Sequence, residues 1–473
     1  MLSRISKFKR GYLLVQVLVF GSIGVIIIGG LIGWAGTSLR YSRHLASREQ
    51  ALAIAEAGLD YYRWHLAHAT QDFQDGTGEE GPYAHSFEDK NGDIIGQFTL
   101  IIIPPVVGST IVTVQSKGEV FDGSGAVRTL ESKLAIPSLA KYAMVANADM
   151  RFGEGTEIFG PVHSNGGVRF DGLSHNLVTS ARSTYDDPDH LGSLEYGVHT
   201  HLPPVDPLPP SPLASRPTVF MTGRQFPVPA VDFIGLSADL ADIKAKANTT
   251  DGLYLADSGS QGYHLVLKTD GTLDVYKVTS IFSPDRGCDN PGQTGWGTWS
   301  IKKQTFFTNY PFPANGLIFV EDNLWVSGKI NKARLTIASA RFPESTNTNT
   351  SITINEDLEY TNLDGQDVLS LVAQNNVNVG QYSDNDLTIH GALVAKSGRV
   401  GRYYYGSDCD NYTRYRISLF GMIATKERYG FAYTDGTGYD IRNIVYDGNL
   451  LYGPPPSFPL TSDQYQTISW REI

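Results

Sequence analysis

The strongest apolar segment of the chain lies close to its beginning. Basic residues cluster within positions 1–10, Gly11 follows, and no charged residue occurs between Tyr12 and Leu39. An α-helix rises about 1.5 Å per residue, so roughly the first twenty of these residues are long enough to cross the apolar core of a bilayer. Because basic flanks favour the cytoplasmic side, the pattern predicts one membrane-spanning helix, with the rest of the chain outside the cytoplasm.

The helical pattern continues beyond this segment with a different character. Residues 40–69 contain no proline and one glycine, and their apolar residues recur on one side of the predicted helix. Ala55 and Tyr62 lie between leucines that occur at every seventh position, namely Leu45, Leu52, Leu59 and Leu66. The pattern predicts one helix over residues 12–70, apolar on all sides at first and amphipathic afterwards. A signal anchor followed by a juxtamembrane coiled coil is the simpler alternative.

Residues 71–137 are predicted to form a small antiparallel sheet. A polar, glycine-rich connector (71–86) is followed by strand-like runs at 94–103, 110–121 and 126–136, separated by short turns. Such runs are typical of a β-meander. Three strands need a covering layer, and the apolar stripe of the helix is the obvious one.

The remainder of the chain has a texture of short apolar pairs separated by glycine and asparagine, and it contains internal matches. Residues 387–396 (LTIHGALVAK) align without gaps to 417–426 (ISLFGMIATK), and 318–326 (IFVEDNLWV) align to 372–379 (VAQNNVNV). Repeated short strands predict a β-solenoid or β-helix, with a β-sandwich as the alternative. The fold class expected for the whole chain is therefore α+β.

Within this β-rich region, residues 138–182 and 316–473 are predicted to form the regular part, and residues 183–315 an inserted lobe. The insertion contains a proline-rich linker (201–217), a short helix (237–247) and a hairpin that turns at Asp270-Gly271. The tail is interpreted as a clamp over the stack, with three buried aromatic anchors, Tyr452, Phe458 and Trp470.

Composition narrows the functional classes. Charged residues make up 18% of the chain and the formal net charge is −11, which argues against a nucleic-acid partner. The two cysteines, Cys288 and Cys409, both lie on the predicted outer side, where a disulfide can persist. Either they form one disulfide or they are two unpaired thiols.

Motifs for catalysis are absent from the sequence. It contains no phosphate-binding loop, no G-x-S-x-G and no H-E-x-x-H. His199 and His201 have a spacing that could bind a metal on a strand, but beside a proline-rich linker they are interpreted as surface residues, and the run Asp186–His190 as a solvated loop. No metal, cofactor or catalytic residue is therefore predicted. The tyrosine-rich segment 402–416 is either an exposed glycan-binding loop or, in the preferred interpretation, a loop packed on its own tyrosines and held by Cys409.

The N-terminal segment resembles the leader of type IV prepilins, because a glycine stands between the basic head and the apolar run. The resemblance implies a leader over residues 1–11, cleavage by a prepilin peptidase between Gly11 and Tyr12, and N-methylation of Tyr12. Residues 51–63 (ALAIAEAGLDYYR) also resemble the AEAGL segment of PilX-like minor pilins. The resemblance covers about seventy residues.

Gln16 departs from the pattern of major pilins, which have glutamate at this position. Glutamate there neutralises the terminal ammonium of a neighbouring subunit in a low-dielectric core, whereas Gln16 offers only a hydrogen bond. The departure implies a subunit at a filament tip or in an initiation complex.

The resemblance implies a non-enzymatic minor pilin of a type IV pilus-like filament. Its expected partners are other pilins, the inner-membrane assembly machinery and the peptidase. It would reside in the membrane before assembly and at the cell surface afterwards, and its distal region would serve display or adhesion toward a glycan or host receptor. The alternative is a permanently anchored adhesin or a polysaccharide-acting β-helix enzyme.

Overall fold

The computed structural model describes residues 11–190, 192–236, 239–290, 292–346 and 348–473. The chain divides into two compact units. Unit 1 comprises the residues through Pro104, together with Val112–Leu134 and Gln464–Ile473, and unit 2 comprises Pro105–Ile111 and Ala135–Asp463. Residues 1–10 of the predicted leader lie outside the described residues.

The elements follow one another in three groups along the chain. The first group is one long helix and four strands: α1 (Gly11–His68), β1 (Tyr83–Glu88), β2 (Ile94–Ile103), β3 (Val112–Val120) and β4 (Val127–Ala135). The second group is a series of short strands: β5 (Met144–Ala146), β6 (Met150–Phe152), β7 (Thr156–Phe159), β8 (Val162–Ser164), β9 (Val168–Phe170), β10 (Leu173–Ser174), β11 (Val178–Ser180), β12 (Thr184–Asp186), β13 (Leu194–Tyr196), β14 (Val198–His199) and β15 (Arg224–Gln225).

The third group begins with two short helices and continues with longer strands: α2 (Phe233–Leu236), α3 (Leu240–Ala247), β16 (Leu253–Leu255), β17 (Gly262–Leu267), β18 (Thr272–Ile281), β19 (Ile301–Pro311), β20 (Leu317–Val320), β21 (Leu324–Ile330), β22 (Arg334–Ser339), β23 (Ile352–Thr353), β24 (Leu358–Tyr360), β25 (Val368–Ala373), β26 (Val377–Val379), β27 (Asp386–Ala395), β28 (Val400–Arg402), β29 (Thr413–Thr425), β30 (Gly438–Tyr446), a 3₁₀ helix (Gly448–Leu451) and β31 (Gln466–Glu472). One long helix followed by a mainly β chain confirms the predicted α+β class.

Unit 1 is built from α1 and a five-stranded sheet in the order β1-β2-β3-β4-β31. The pairs from β1 through β4 are antiparallel and sequential, as a meander requires. The three strands predicted from the sequence are present. Two more were missed: β1 lies partly inside the predicted connector 71–86, and β31 comes from the C-terminal tail.

The amphipathic half of α1 packs on this sheet along a stripe that the leucine pattern locates only in part. Leu59 and Leu66 are buried, but Leu52 is half-exposed and Leu45 is 48% exposed. The buried stripe combines the two buried leucines with Ala55 and Tyr62, as predicted, and also with Ala51 and Ile54, which the pattern did not include. On a straight helix, positions that repeat every seven residues rotate by about 20° per heptad around the axis. Leu45 lies three heptads before Leu66, so it no longer points to the buried face.

Unit 2 is a stack of short strands joined in three parallel ladders. Ladder A runs β16-β20-β22-β25-β27-β29-β5-β8-β11-β15. Ladder B has two parts, β17-β21-β23-β26-β28 and β6-β9-β14. Ladder C runs β21-β24-β27-β29-β30-β7-β10. These parallel pairings are those of a β-solenoid, whereas a β-sandwich is built from antiparallel pairs.

From β20 to β5 both faces of ladder A are buried, which explains the nearly continuous apolar strands there. Ile318 and Ile337 point into the main core of the stack, whereas their neighbours Phe319 and Ala338 belong to a second core on the opposite face. The helix α3 covers that second core with Leu240 and its neighbours. This part of ladder A is therefore a buried wall between two apolar layers.

The corner between ladders C and A is fixed by a pair of glycines. Strands β27 and β29 each contribute to both ladders, and Gly391 and Gly421 lie side by side at their bends. Their φ angles are +149° and +153°, and a Cβ on Gly421 would lie 1.9 Å from the carbonyl oxygen of Gly391. Only glycine fits this position. The same register pairs Leu387 with Ile417, so the predicted alignment of the two segments is reproduced strand against strand.

The strands of ladder A do not follow the order of the chain. Strands β16 through β29 stack sequentially, and then the ladder continues with the earlier strands β5, β8, β11 and β15. The first strand of unit 2, β5, therefore lies beside β29, one of its last strands. Its entry and exit segments are held together, since Ser138 forms an antiparallel bridge with Leu460 and the Thr461 amide donates to the Pro137 carbonyl at 2.9 Å.

The predicted separate lobe over residues 183–315 is therefore wrong in large part. Strands β14, β15, β16 and β17 all pair in parallel with strands of the stack. The sequence does not reveal this continuity, because the proline-rich linker separates β14 from β15 and these four strands are only two to six residues long. The predicted hairpin at Asp270-Gly271 is present as β17–β18, with β19 extending it. The described part of the predicted helix is α3, capped by Asp239; Ser237 lies outside the described residues.

The predicted C-terminal clamp is also only partly correct. Phe458 is buried in unit 2, and Tyr452 is half-buried. Trp470, however, is 52% exposed and lies on β31 in the sheet of unit 1. The alternation of polar and apolar residues at 466–472 is that of an edge strand, which the sequence analysis did not recognise.

Candidate functional site

The first half of α1 is an apolar rod with no covering layer within the described chain. From Tyr12 to Leu39 every residue is exposed except the half-exposed Gly24 and Gly36. The helix is long and apolar enough to be a candidate membrane span by length and composition. Burying a large apolar side chain contributes about 1.5–3 kcal/mol, so a rod of this kind requires lipid or other apolar helices around it.

Two hydroxyl groups of this rod bond to their own helix. The Ser22 hydroxyl donates to the Leu18 carbonyl at 2.8 Å, and the Thr37 hydroxyl donates to the Gly33 carbonyl at 2.7 Å. Such back-bonding satisfies a hydroxyl where water is absent. Gln16 is exposed on the same rod. The rod therefore presents one side-chain amide near its start on a mainly apolar surface.

The glycines of the rod open its surface to a neighbouring helix. Apart from the neighbouring backbone of its own helix, a Cβ placed on any of them would find no atom of the described chain within 4 Å: Gly21, Gly24, Gly29, Gly30, Gly33 and Gly36. Gly29 and Gly33 have the four-residue spacing that lets two helix backbones approach closely in an apolar medium. The composition of the rod thus suits contact with other helices as well as with lipid.

The second half of α1 anchors the rod to the sheet through a very close backbone approach. A Cβ on Gly118 of β3 would lie 2.2 Å from the Ala51 carbonyl oxygen and 2.5 Å from the Ala55 nitrogen. On the helix side, a Cβ on Gly58 would lie 2.2 Å from the Ser116 hydroxyl. Small residues on both partners therefore set the distance between helix and sheet. Gly58 belongs to the AEAGL segment, and its packing role was not foreseen.

Two hydrogen bonds fix the ends of this packed half. The Tyr62 hydroxyl, in a buried side chain, donates to the Asp72 carbonyl at 2.9 Å. Near the other end, the Ser47 hydroxyl donates to the Asp122 carboxylate at 2.5 Å. Hydrogen bonds from the Ser124 and Ser47 hydroxyls lower the pKa of Asp122 to about 2. The helix is thus held to loops at both ends of the sheet.

The two cysteines form a disulfide within unit 2. The Sγ atoms of Cys288 and Cys409 are 2.09 Å apart, and both residues are buried with Tyr403 and Tyr405. The neighbouring Arg402 is fully buried, and burial lowers its pKa to about 10. This part of the tyrosine-rich segment is therefore packed rather than displayed.

Two of the residues interpreted as solvated are buried: His199 is 0% exposed and Asp187 is 2% exposed. His201 is half-exposed, and Asp186, Asp189 and His190 are exposed. The interpretation is wrong for His199 and Asp187 because β14 places His199 in a rung of the stack, and because the β12–β13 hairpin folds Asp187 over it. No local sequence pattern predicted the β12–β13 hairpin.

The predicted processing site lies in the first turn of α1. Gly11 is the first residue of α1, and Tyr12 is 70% exposed beside it. The cleavage and methylation predicted there stay predictions.

Similarity to known proteins is found among solved structures. No protein-family model and no curated protein matches the chain. Among solved structures, the competence-associated pilin ComZ from Thermus thermophilus is similar, with 14% sequence identity, a TM-score of 0.31, and coverage of 90% of this chain and 98% of that chain. A TM-score of this size does not establish a shared fold.

Proposed function

We propose that this chain is a structural subunit of a type IV pilus-like filament, a minor pilin at the tip or in the initiation complex. The observation that supports the proposal best is the division of α1 into an exposed apolar rod and a half that packs on its own sheet. A rod of this kind is stable only when other apolar material surrounds it.

The proposed mechanism is the transfer of the rod from lipid to sister helices. Before assembly the bilayer covers residues 12–39, and in the filament the helices of neighbouring subunits cover them. Because the apolar area stays out of water in both states, the hydrophobic free energy changes little. The glycines of the rod favour close helix contacts in the second state. Unit 1 holds the rod, and unit 2 is the part displayed, with no enzymatic role.

Processing is proposed between Gly11 and Tyr12, and Gly11→Ala tests it. The full-length chain would be produced together with a prepilin peptidase, and its N-terminus would be read by mass spectrometry. We expect the natural chain to begin at an N-methylated Tyr12, and the variant to keep its leader and stay out of filaments. Gly21→Ala, a glycine substitution inside the rod, should mature normally. An uncut, membrane-resident natural chain that never co-purifies with fibres would instead support the permanently anchored alternative.

Placement at the tip is proposed because of Gln16, and it can be tested by labelling. Without a carboxylate, Gln16 cannot neutralise the terminal ammonium of a subunit beside it. We expect antibodies against unit 2 to label filament ends, and Gln16→Glu to increase the number of copies per filament. Labelling along the whole shaft by the natural chain would contradict a tip position.

A further inference from the structure

A cluster of three histidines and three carboxylates lies in unit 2 where the β12–β13 hairpin meets β14. Tyr185 pairs with Glu195 across the hairpin, and Asp187 follows directly after β12. Strand β14 carries His199 beside Arg169 of β9, and His201 follows two residues later. Segments that are separate in the chain thus bring several metal-ligating side chains together.

The central histidine has one ring nitrogen fixed and the other without a partner. Nδ1 of the fully buried His199 lies 3.2 Å from the Tyr196 carbonyl oxygen, which can only accept, so Nδ1 carries a proton. Nε2 has no hydrogen-bond partner among the described residues and faces Asp187 Oδ2 at 3.6 Å. A histidine that binds a metal commonly donates its other N–H to a backbone carbonyl in this way.

The carboxylates around this histidine carry more negative charge than the nearby cation offsets. Asp171, Asp187 and Glu195 are 6%, 2% and 2% exposed. Arg169 donates to Asp171 at 2.7 Å, while its distance to Asp187 is 3.6 Å. One guanidinium for three buried carboxylates leaves two negative charges when the imidazoles are neutral.

Two carboxylate oxygens of the cluster also lack a hydrogen-bond partner among the described residues. Asp187 Oδ2 and Glu195 Oε2 are buried and have no hydrogen-bond partner among the described residues. Buried polar atoms normally find a hydrogen-bond partner, and an unpaired one destabilises the fold. The polarity and the charge of the cluster therefore call for a divalent cation.

We propose that Asp187, His199 and His201 bind one divalent transition-metal ion of the zinc type. One ligand atom from each of the three residues lies within 4.8 Å of the others. Ligand atoms at about 2.0–2.2 Å from a tetrahedral zinc ion are about 3.4 Å apart, close to the separation of His199 Nε2 and Asp187 Oδ2. Two imidazoles with one carboxylate suit zinc and its late first-row neighbours, whereas calcium and magnesium prefer oxygen ligands only.

The role of the ion is to fasten the hairpin to the stack. Asp187 belongs to the hairpin excursion, and both histidines belong to the rung that follows it. Glu195 lies beside His201 and His190, with Oε1 at 3.3 Å from His201 Nε2 and 2.8 Å from His190 Nδ1. Its carboxylate therefore lies next to one of the proposed ligands.

Metal content and thermal unfolding of the untagged full-length chain test the proposal. After exposure to Zn²⁺ and dialysis, we expect about one equivalent of zinc by elemental analysis. Free Zn²⁺ at 100 times its Kd should raise the unfolding temperature by roughly 5 °C, and EDTA should remove the shift. Ca²⁺ and Mg²⁺ should leave the unfolding temperature unchanged. Asp187→Asn and His199→Gln should each weaken zinc binding by at least roughly 100-fold.

His175→Gln is the matched control, because His175 also pairs with a carboxylate in the same stack, at 2.6 Å from Glu157, outside the cluster. It should bind zinc like the natural chain. If a variant of the buried His199 does not fold, the half-exposed His201→Gln provides the same measurement. A natural chain that retains less than a tenth of an equivalent and shows no zinc-dependent shift would overturn the proposal. So would equal binding by Asp187→Asn, or equal stabilisation by Ca²⁺.

Discussion

The two halves of α1 are one continuous helix in opposite surroundings. The first half is apolar on all sides and exposed, whereas the second half is largely polar and buries a narrow stripe against its own sheet. The first half therefore has more apolar surface than the second half, although no other part of the described chain covers it. The difference shows that the second half serves the fold of unit 1, while the first half is selected for an environment outside the chain.

The comparison would be broken most directly by a charge in the rod. Ile27→Arg replaces an exposed apolar residue near the middle of the segment, and an arginine there costs about 3 kcal/mol of membrane insertion. We expect a loss of membrane retention by roughly 100-fold in fractionation. The unfolding temperature of unit 1 should not change. Trp64→Arg, an exposed position in the packed half, should leave retention intact.

A substitution at the helix–sheet contact should have the reverse effect. Gly118→Val places atoms where the backbone of Ala51 and Ala55 already lies, and we expect unit 1 to lose about 3 kcal/mol of stability. Membrane retention should persist. Gly36→Ala is the control, since its Cβ would meet no atom within 4 Å apart from the neighbouring backbone of its own helix. Equal destabilisation by both variants, measured by denaturant unfolding, would mean that the rod also packs within its own chain.

Local patterns predicted α1 and the central strands of unit 1 because both depend on neighbours in sequence. The stripe was predicted correctly at Ala55, Leu59, Tyr62 and Leu66, but the prediction included Leu45 and Leu52 and missed the small residues Ala51 and Gly58. These small residues allow the backbones of α1 and β3 to approach closely, and the periodicity of apolar residues does not reveal such an approach.

The stack was predicted where two rungs have similar sequences and missed where they do not. Residues 387–396 and 417–426 match because neighbouring rungs need the same corner glycine. The pairing of β5 with β29 joins segments that are far apart in the chain. No local pattern therefore predicts that the first strand of unit 2 lies in the middle of ladder A. The same holds for Asp187 and His199, since only the fold of the hairpin brings them together.

A smaller effect is expected from the hydroxyl at the far end of the packed half. Tyr62→Phe keeps the buried ring but removes the hydrogen bond to the Asp72 carbonyl, at a cost of about 1 kcal/mol to unit 1. Tyr41→Phe, at a 70% exposed position of the same helix, should have no effect. Equal unfolding midpoints for the natural chain and Tyr62→Phe would contradict this contact.

The smallest expected effect is a pH dependence at the near end of the packed half. The pKa of Asp122 is lowered to about 2 by the hydroxyls of Ser124 and Ser47, so the folded state holds its proton less tightly than the unfolded state does. The resulting stability is complete above the ordinary aspartate pKa near 4 and is lost as the pH falls toward 2. Ser47→Ala should flatten this part of the profile, and its effect on the stability at pH 7 should be small because the carboxylate is exposed to solvent. An unchanged acid profile in Ser47→Ala would show that the serine does not contribute to docking the helix.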